Sequence, residues 1–169
     1  MIEKSLFFFY TKMGDKMDFD VVIKNRRSIR KYSNQNIPIS AINQIIEAGL
    51  FAPSAHNRQP WEIVVLKKKQ TEIATMMKYY HSIHPEDESI LKTASTIERC
   101  NTLLLVYCNS FEQWEYNLLS MGAMIENMLL KATDLEIGSV WIGNVVPIGK
   151  EISSYLKIDD RNKKLVSAV

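Results

Sequence analysis

The chain has 169 residues, 46% hydrophobic and 24% charged, enough for one domain with a real core and too apolar for a disordered one. Its net charge of +2 gives no footing for a nucleic-acid or membrane-surface partner, so neither is expected. The three histidines, His56, His81 and His84, are not spaced with carboxylates as metal ligands would be, and no metal is expected.

The first apolar run, Leu6 to Tyr10, is too short to span a bilayer and lacks a small-residue cleavage site. Residues 1–16 therefore read as an N-terminal extension with no assigned role, and 17–169 as the domain. Asp18 to Asn25 reads as a helix capped by Asp18, with Phe19, Val22 and Ile23 at helical spacing. Next come Arg26, Arg27, Ser28, Arg30 and Lys31, four cations and a hydroxyl in six residues. Arginine forks and a serine hydroxyl supply the fixed charge and multiple donors that a phosphate dianion requires.

Ser40 is placed to cap a second helix, with Ile42, Ile45, Ile46 and Leu50 as its stripe and Pro53 marking its end. The stretch Ala52 to Trp61 is a turn rich in polar amides, suited to reading the edge of a planar heterocycle. Paired with the cationic segment, it points to a phosphorylated aromatic cofactor. Trp61 to Leu66 reads as a buried strand, Lys67 to Lys69 as a solvated turn, and Thr71 to Tyr80 as a helix. His81 to Ser95, with Pro85 and three acids, reads as a loop or lid. Asn101 to Cys108 is a second strand. Cys100 and Cys108 lack redox-motif or metal spacing and read as buried free thiols, which favours a reducing, cytoplasmic setting.

Trp114 to Thr133 is the longest helical pattern and is apolar over much of its circumference, which suits either a central core helix or an interface. Gly138 leads into a third strand, Ser139 to Ile142. Pro147 opens a helix over Ile148 to Leu156. Lys164 to Val169 starts a last strand. With no repeat or linker, the chain is expected to form one α+β domain.

Three elements carry a family resemblance: Arg-Arg-Ser-Ile-Arg at 26–30, Ala-Pro-Ser-Ala-His-Asn-Arg-Gln-Pro-Trp at 52–61, and Gly122 to Leu130 followed by Gly138 to Gly143. In this order they resemble the nitroreductase family of FMN-dependent oxidoreductases, over roughly Met17 to Val169. The resemblance implies a three-layer sandwich, with a central mixed or antiparallel sheet flanked by helices. It also implies an intertwined homodimer with flavin at the subunit interface. FMN would be the cofactor and NADH or NADPH the co-substrate. Hydride would pass through flavin N5 to a small-molecule acceptor (nitroaromatic, quinone or enone) in a ping-pong scheme. The flavin carries that chemistry, so no catalytic side chain is named.

By the same resemblance Arg26 and Ser28 meet the phosphate and ribityl end, with Arg27 contributing backbone or side-chain contacts, and Arg30 sits near N1 and the C2 carbonyl. Pro53, Ser54 and Asn57 lie along a flavin shared with the partner subunit. Trp141, Ile142 and Gly143 pass the ring, with backbone N–H groups near N5. His56 either touches substrate or is exposed. Gln59 holds the turn by bonding backbone groups, and Trp61 packs in the core. The family usually continues past the last strand to a terminal Lys or Arg that also reaches the phosphate. The sequence stops at Val169, so FMN is expected to bind more weakly. The rival reading is a flavin-binding or structural dimer relative that has lost turnover. A third, a dehalogenase or flavin-fragmenting enzyme, would need a longer lid.

Overall fold

The computed structural model describes residues 18–169, so the expectation for residues 1–16 lies outside the described residues. Helix α1 (Phe19–Asn25) starts where Asp18 Oδ1 accepts from the Asp20 N–H at 2.9 Å, as the sequence suggested. Of the three apolar residues at helical spacing only Val22 is buried; Phe19 and Ile23 are exposed. Helix α2 (Ile39–Leu50) begins one residue before Ser40. Pro38 is its N-cap and no side chain caps it, so the expected Ser40 cap is corrected. The fixed φ of proline, here −58°, sets the chain up for the helix instead.

Strands β1 (Trp61–Leu66), β2 (Leu103–Cys108) and β3 (Lys164–Ala168) form one three-stranded sheet in the order β1-β2-β3, antiparallel throughout. All of β2 is buried, and its side chains alternate between two cores. Leu103, Leu105 and Tyr107 enter a core with Ile73 and Met77 of α3 (Gln70–Ile83), Ile97 of α4 (Ser89–Glu98) and Ile152 of α6 (Gly149–Leu156). Leu104, Val106 and Cys108 enter the other, with Ile42 and Ile45 of α2 and Met121, Met124 and Met128 of α5 (Trp114–Asp134). That is the three-layer sandwich. A central strand covered on both faces reads as an unbroken apolar run, which is why it was legible.

Two expectations fail here. The loop or lid over His81 to Ser95 is helix for most of its length: α3 runs on to Ile83 and α4 starts at Ser89, leaving a short turn between them. Ile90, Ala94 and Ile97, at helical spacing, bury into the first core, and that stripe outweighs Pro85 and the neighbouring acids. The strand expected over Ser139 to Ile142 is reduced to isolated bridges, Ser28 to Ser139 and Ile142 to Ala168. The segment crosses between two partners and never runs along either.

Candidate functional site

Arg26 leaves α1 at φ −54°, ψ 126°, and an extended segment follows. Ser28 pairs with Ser139 in parallel, and the Ile29 N–H donates to Ser139 O at 2.9 Å. The Tyr32 hydroxyl donates to Ile29 O at 2.9 Å, and burial pushes this phenol up to about 12. Beneath Ile29 lies Gly138, where an added Cβ would stand 3.0 Å from the Ile29 side chain. These fastenings fix a short rail of cations. Arg26 Nε lies 3.3 Å from Glu126 Oε1. Arg27 folds back onto Lys24 O and Arg26 O, both at 2.8 Å. Its guanidinium thus secures the bend. Arg30 Nη1 donates to Ser28 O at 3.3 Å, with the rest of its side chain exposed.

The second element is a strained turn. His56, Asn57 and Gln59 have φ of 52°, 53° and 48°, in the left-handed region that side chains other than glycine rarely adopt. Asparagine tolerates this region; histidine and glutamine less so. The turn is held by Ser54, whose Oγ accepts from the Gln59 N–H at 3.0 Å, and by the Asn57 N–H donating to Ser54 O at 2.9 Å. The Gln59 amide donates to Asn57 Oδ1 at 3.0 Å, so it stiffens the turn through a side chain, not through the backbone as expected. Trp61 is buried in the α2–α5 core and His56 is exposed. Pro53 is exposed beside this turn. Strain of this kind costs about 1–3 kcal/mol per residue and tends to collect at functional sites.

At the third element the chain alternates. Ile142 turns inward, its N–H and carbonyl both bonded to Ala168, at 2.8 and 2.9 Å. The Ile142 N–H is therefore engaged and is not offered to a ligand. Trp141 and Gly143 face outward, with the indole 44% exposed. A Cβ added at Gly143 meets nothing within 4 Å.

Helix α5 decides which of these elements meet. The Ala55 N–H donates to Ser120 Oγ at 3.3 Å, a Cβ on Gly122 would lie 3.6 Å from the Trp141 ring, and Glu126 pairs with Arg26. At 100° per residue, Gly122 and Glu126 are about 40° apart around the helix, whereas Ser120 is roughly 120–160° from both. Arg26 and Trp141 thus meet one side of α5, with Arg27, Ser28 and Gly143 close to them along the chain and Ile142 turned into the first core, while the turn that holds Pro53, Ser54 and Asn57 meets another side through Ala55. Ser120, Gly122 and Glu126 were missed as site-organising residues. Small residues and an acid midway along an apolar helix were the available signal.

A family model described as the nitroreductase family matches residues 23–169. The chain belongs to the nitroreductase family. A relative from Methanothermobacter thermautotrophicus, provisionally named NADH dehydrogenase/NAD(P)H nitroreductase, is 29% identical over 143 residues, covering 85% of this chain and 69% of that protein. A protein of the same provisional name from Archaeoglobus fulgidus is 33% identical over 123 residues, covering 72% of this chain and 65% of that one. The chain thus spans about two thirds of the length of these relatives. Among solved structures, a nitroreductase from Bacteroides fragilis with bound FMN superposes with a TM-score of 0.77 at 27% identity, covering 90% of this chain and 86% of that one. The nitroreductase fold is the three-layer arrangement described above. In this member α5 is the helix on which all three sequence elements rest.

Proposed function

We propose that the protein is an FMN-dependent oxidoreductase that takes reducing equivalents from NADH or NADPH and passes them to a small oxidised acceptor in a ping-pong sequence. The observation that carries this reading is the side of α5 where the Arg26–Arg30 rail, Trp141 and Gly143 come together. The donor set fits the cofactor's phosphate. Ser28 is exposed, and Arg26 uses one edge on Glu126, leaving further guanidinium donors. The open space at Gly143 fits a flat ring lying against the backbone. When bound, FMN supplies a two-electron carrier that accepts hydride from a nicotinamide and passes it to a nitroaromatic, quinone or enone.

The chain's own residues have positioning and electrostatic tasks. Arg26 and Ser28 anchor the phosphate end, while Arg27 fixes the bend that presents them. Arg30 places a fixed cation where negative charge gathers on reduction, which raises the reduction potential. Trp141 and Gly143 line the ring with an apolar face and bare backbone.

Pro53, Ser54 and Asn57 lie on another side of α5, which supports a homodimer in which each flavin takes its second wall from the partner. Exposed Leu119 and Phe51, 73% and 80% accessible on and beside the packed helices α5 and α2, support the same assembly. The free thiols Cys100 and Cys108 fit a cytoplasmic setting; burial pushes Cys100 up to about 11 and makes it a poor nucleophile.

The deciding experiment is an absorbance spectrum of the dialysed protein before and after anaerobic NADH or NADPH. A flavin band that bleaches is expected. A colourless protein that free FMN cannot reconstitute would overturn the proposal.

A further inference from the structure

Beside Arg30, a recess of about 430 Å³ opens between the cationic rail and α4. Arg30, Lys31, Lys92, Ser95, Thr96 and Arg99 line it, with Leu91 as its one apolar side chain. Lys92, Ser95 and Thr96 of α4 and Arg99 just past its end fall at i, i+3, i+4 and i+7, one stripe of the helix. Within 4 Å, none of the four cations forms an ion pair among the described residues. The nearest acid on α4, Glu98, is turned away and holds Lys78 at 2.7 Å. Arg99 is braced on its own helix, with Nε donating to Ser95 O at 3.0 Å and Nη2 to Ser95 Oγ. Four like charges converging without a counterion raise the local positive potential, and an anion of matching size relieves it.

This recess adjoins the candidate flavin site. Arg30 belongs to both, through its bond to Ser28 O. The chain just after Gly143 is tied to the same helix, since Asn144 Nδ2 donates to Ser89 Oγ at 2.8 Å and Thr93 Oγ1 at 3.0 Å. We propose that the recess is an oxyanion subsite for the reactant that faces the flavin, binding a phosphate or carboxylate which that reactant carries. The inference rests on the flavin reading above and adds a substrate class to it: acidic reactants are preferred over neutral ones. Two sources carry this chemistry, the phosphates of a nicotinamide dinucleotide and an acid group on the acceptor.

The test uses the full chain with Lys92→Gln and Arg99→Gln, singly and together. Both side chains are exposed, and neither reaches the Arg26–Ser28 anchor. Calorimetric titration with inorganic pyrophosphate is the first arm, and each lost cation is expected to weaken binding about tenfold. Steady-state kinetics on the flavin-loaded protein are the second, comparing NADPH with NADH and 4-nitrobenzoate with nitrobenzene. A KM that rises for NADH and NADPH alike assigns the oxyanion to the donor's pyrophosphate, and a rise for NADPH alone to its extra phosphate. A rise for 4-nitrobenzoate but not nitrobenzene assigns it to the acceptor. In both cases kcat and flavin retention stay put. Pyrophosphate binding unchanged in the double variant, or KM unmoved for both donors and for 4-nitrobenzoate in flavin-loaded protein, overturns the proposal. If the double variant melts early, Lys92→Gln alone decides. If the parent never holds FMN, the flavin reading fails on its own, and the pyrophosphate titration still decides the subsite.

Discussion

Arg26 is the residue on which the flavin reading depends most. Its guanidinium is already aimed by Glu126, so a bound phosphate would meet an oriented donor and not a mobile one. Arg26→Ala removes one charge-assisted contact, worth about 1.5–3 kcal/mol. FMN affinity should fall by about tenfold to a hundredfold. Fluorescence titration of the apoprotein measures this, and full retention of flavin by the variant would show that the phosphate lies elsewhere. The cluster of candidate cations was legible in the sequence, because four of them and a hydroxyl stand within six residues. Their division of labour was not. Arg27 spends its donors on Lys24 O and Arg26 O, and only the bend at the end of α1 brings those carbonyls within reach.

The packing of α2 against α5 sets the position of the whole site, since α5 carries Ser120, Gly122 and Glu126. Gly49 lets the two helices approach: a Cβ there would stand 2.7 Å from Met128 Cγ and 3.2 Å from Met124 Cγ. Gly49→Ala gains helix propensity but overpacks a dense core, and the clash should dominate, costing about 1–3 kcal/mol. Denaturant melts of the variant check this; a variant more stable than the parent would mean that the methionines repack freely. The strands were readable to within two residues because each is a short run of β-branched or apolar residues. Helix α4 was not. Pro85 and the acids after it, Glu86 to Glu88, signalled a break, and the buried stripe of Ile90, Ala94 and Ile97 became visible only against the first core.

At the scale of the whole molecule, the proposed homodimer would give each protomer halves of two different sites, the strained turn in one and the cationic rail in the other. Leu119 is exposed, so Leu119→Lys should leave the monomer folded while weakening the dimer. Light scattering should then report a mass near one chain, and FMN retention should fall with it. A monomer that keeps FMN at full affinity would place Ser54 and Asn57 outside the flavin site.

The sequence by itself determined the family and the three strands, because these are written in local runs and fixed spacings. Tertiary structure alone decided that α4 replaces a lid, that Ile142 turns inward, and that the motif residues fall on different sides of one helix. It also gathered Lys92 and Arg99 beside Arg30, some sixty residues apart in the chain. Each of these depends on which side chains a helix or bridge turns toward a distant partner, and local sequence carries no record of that direction.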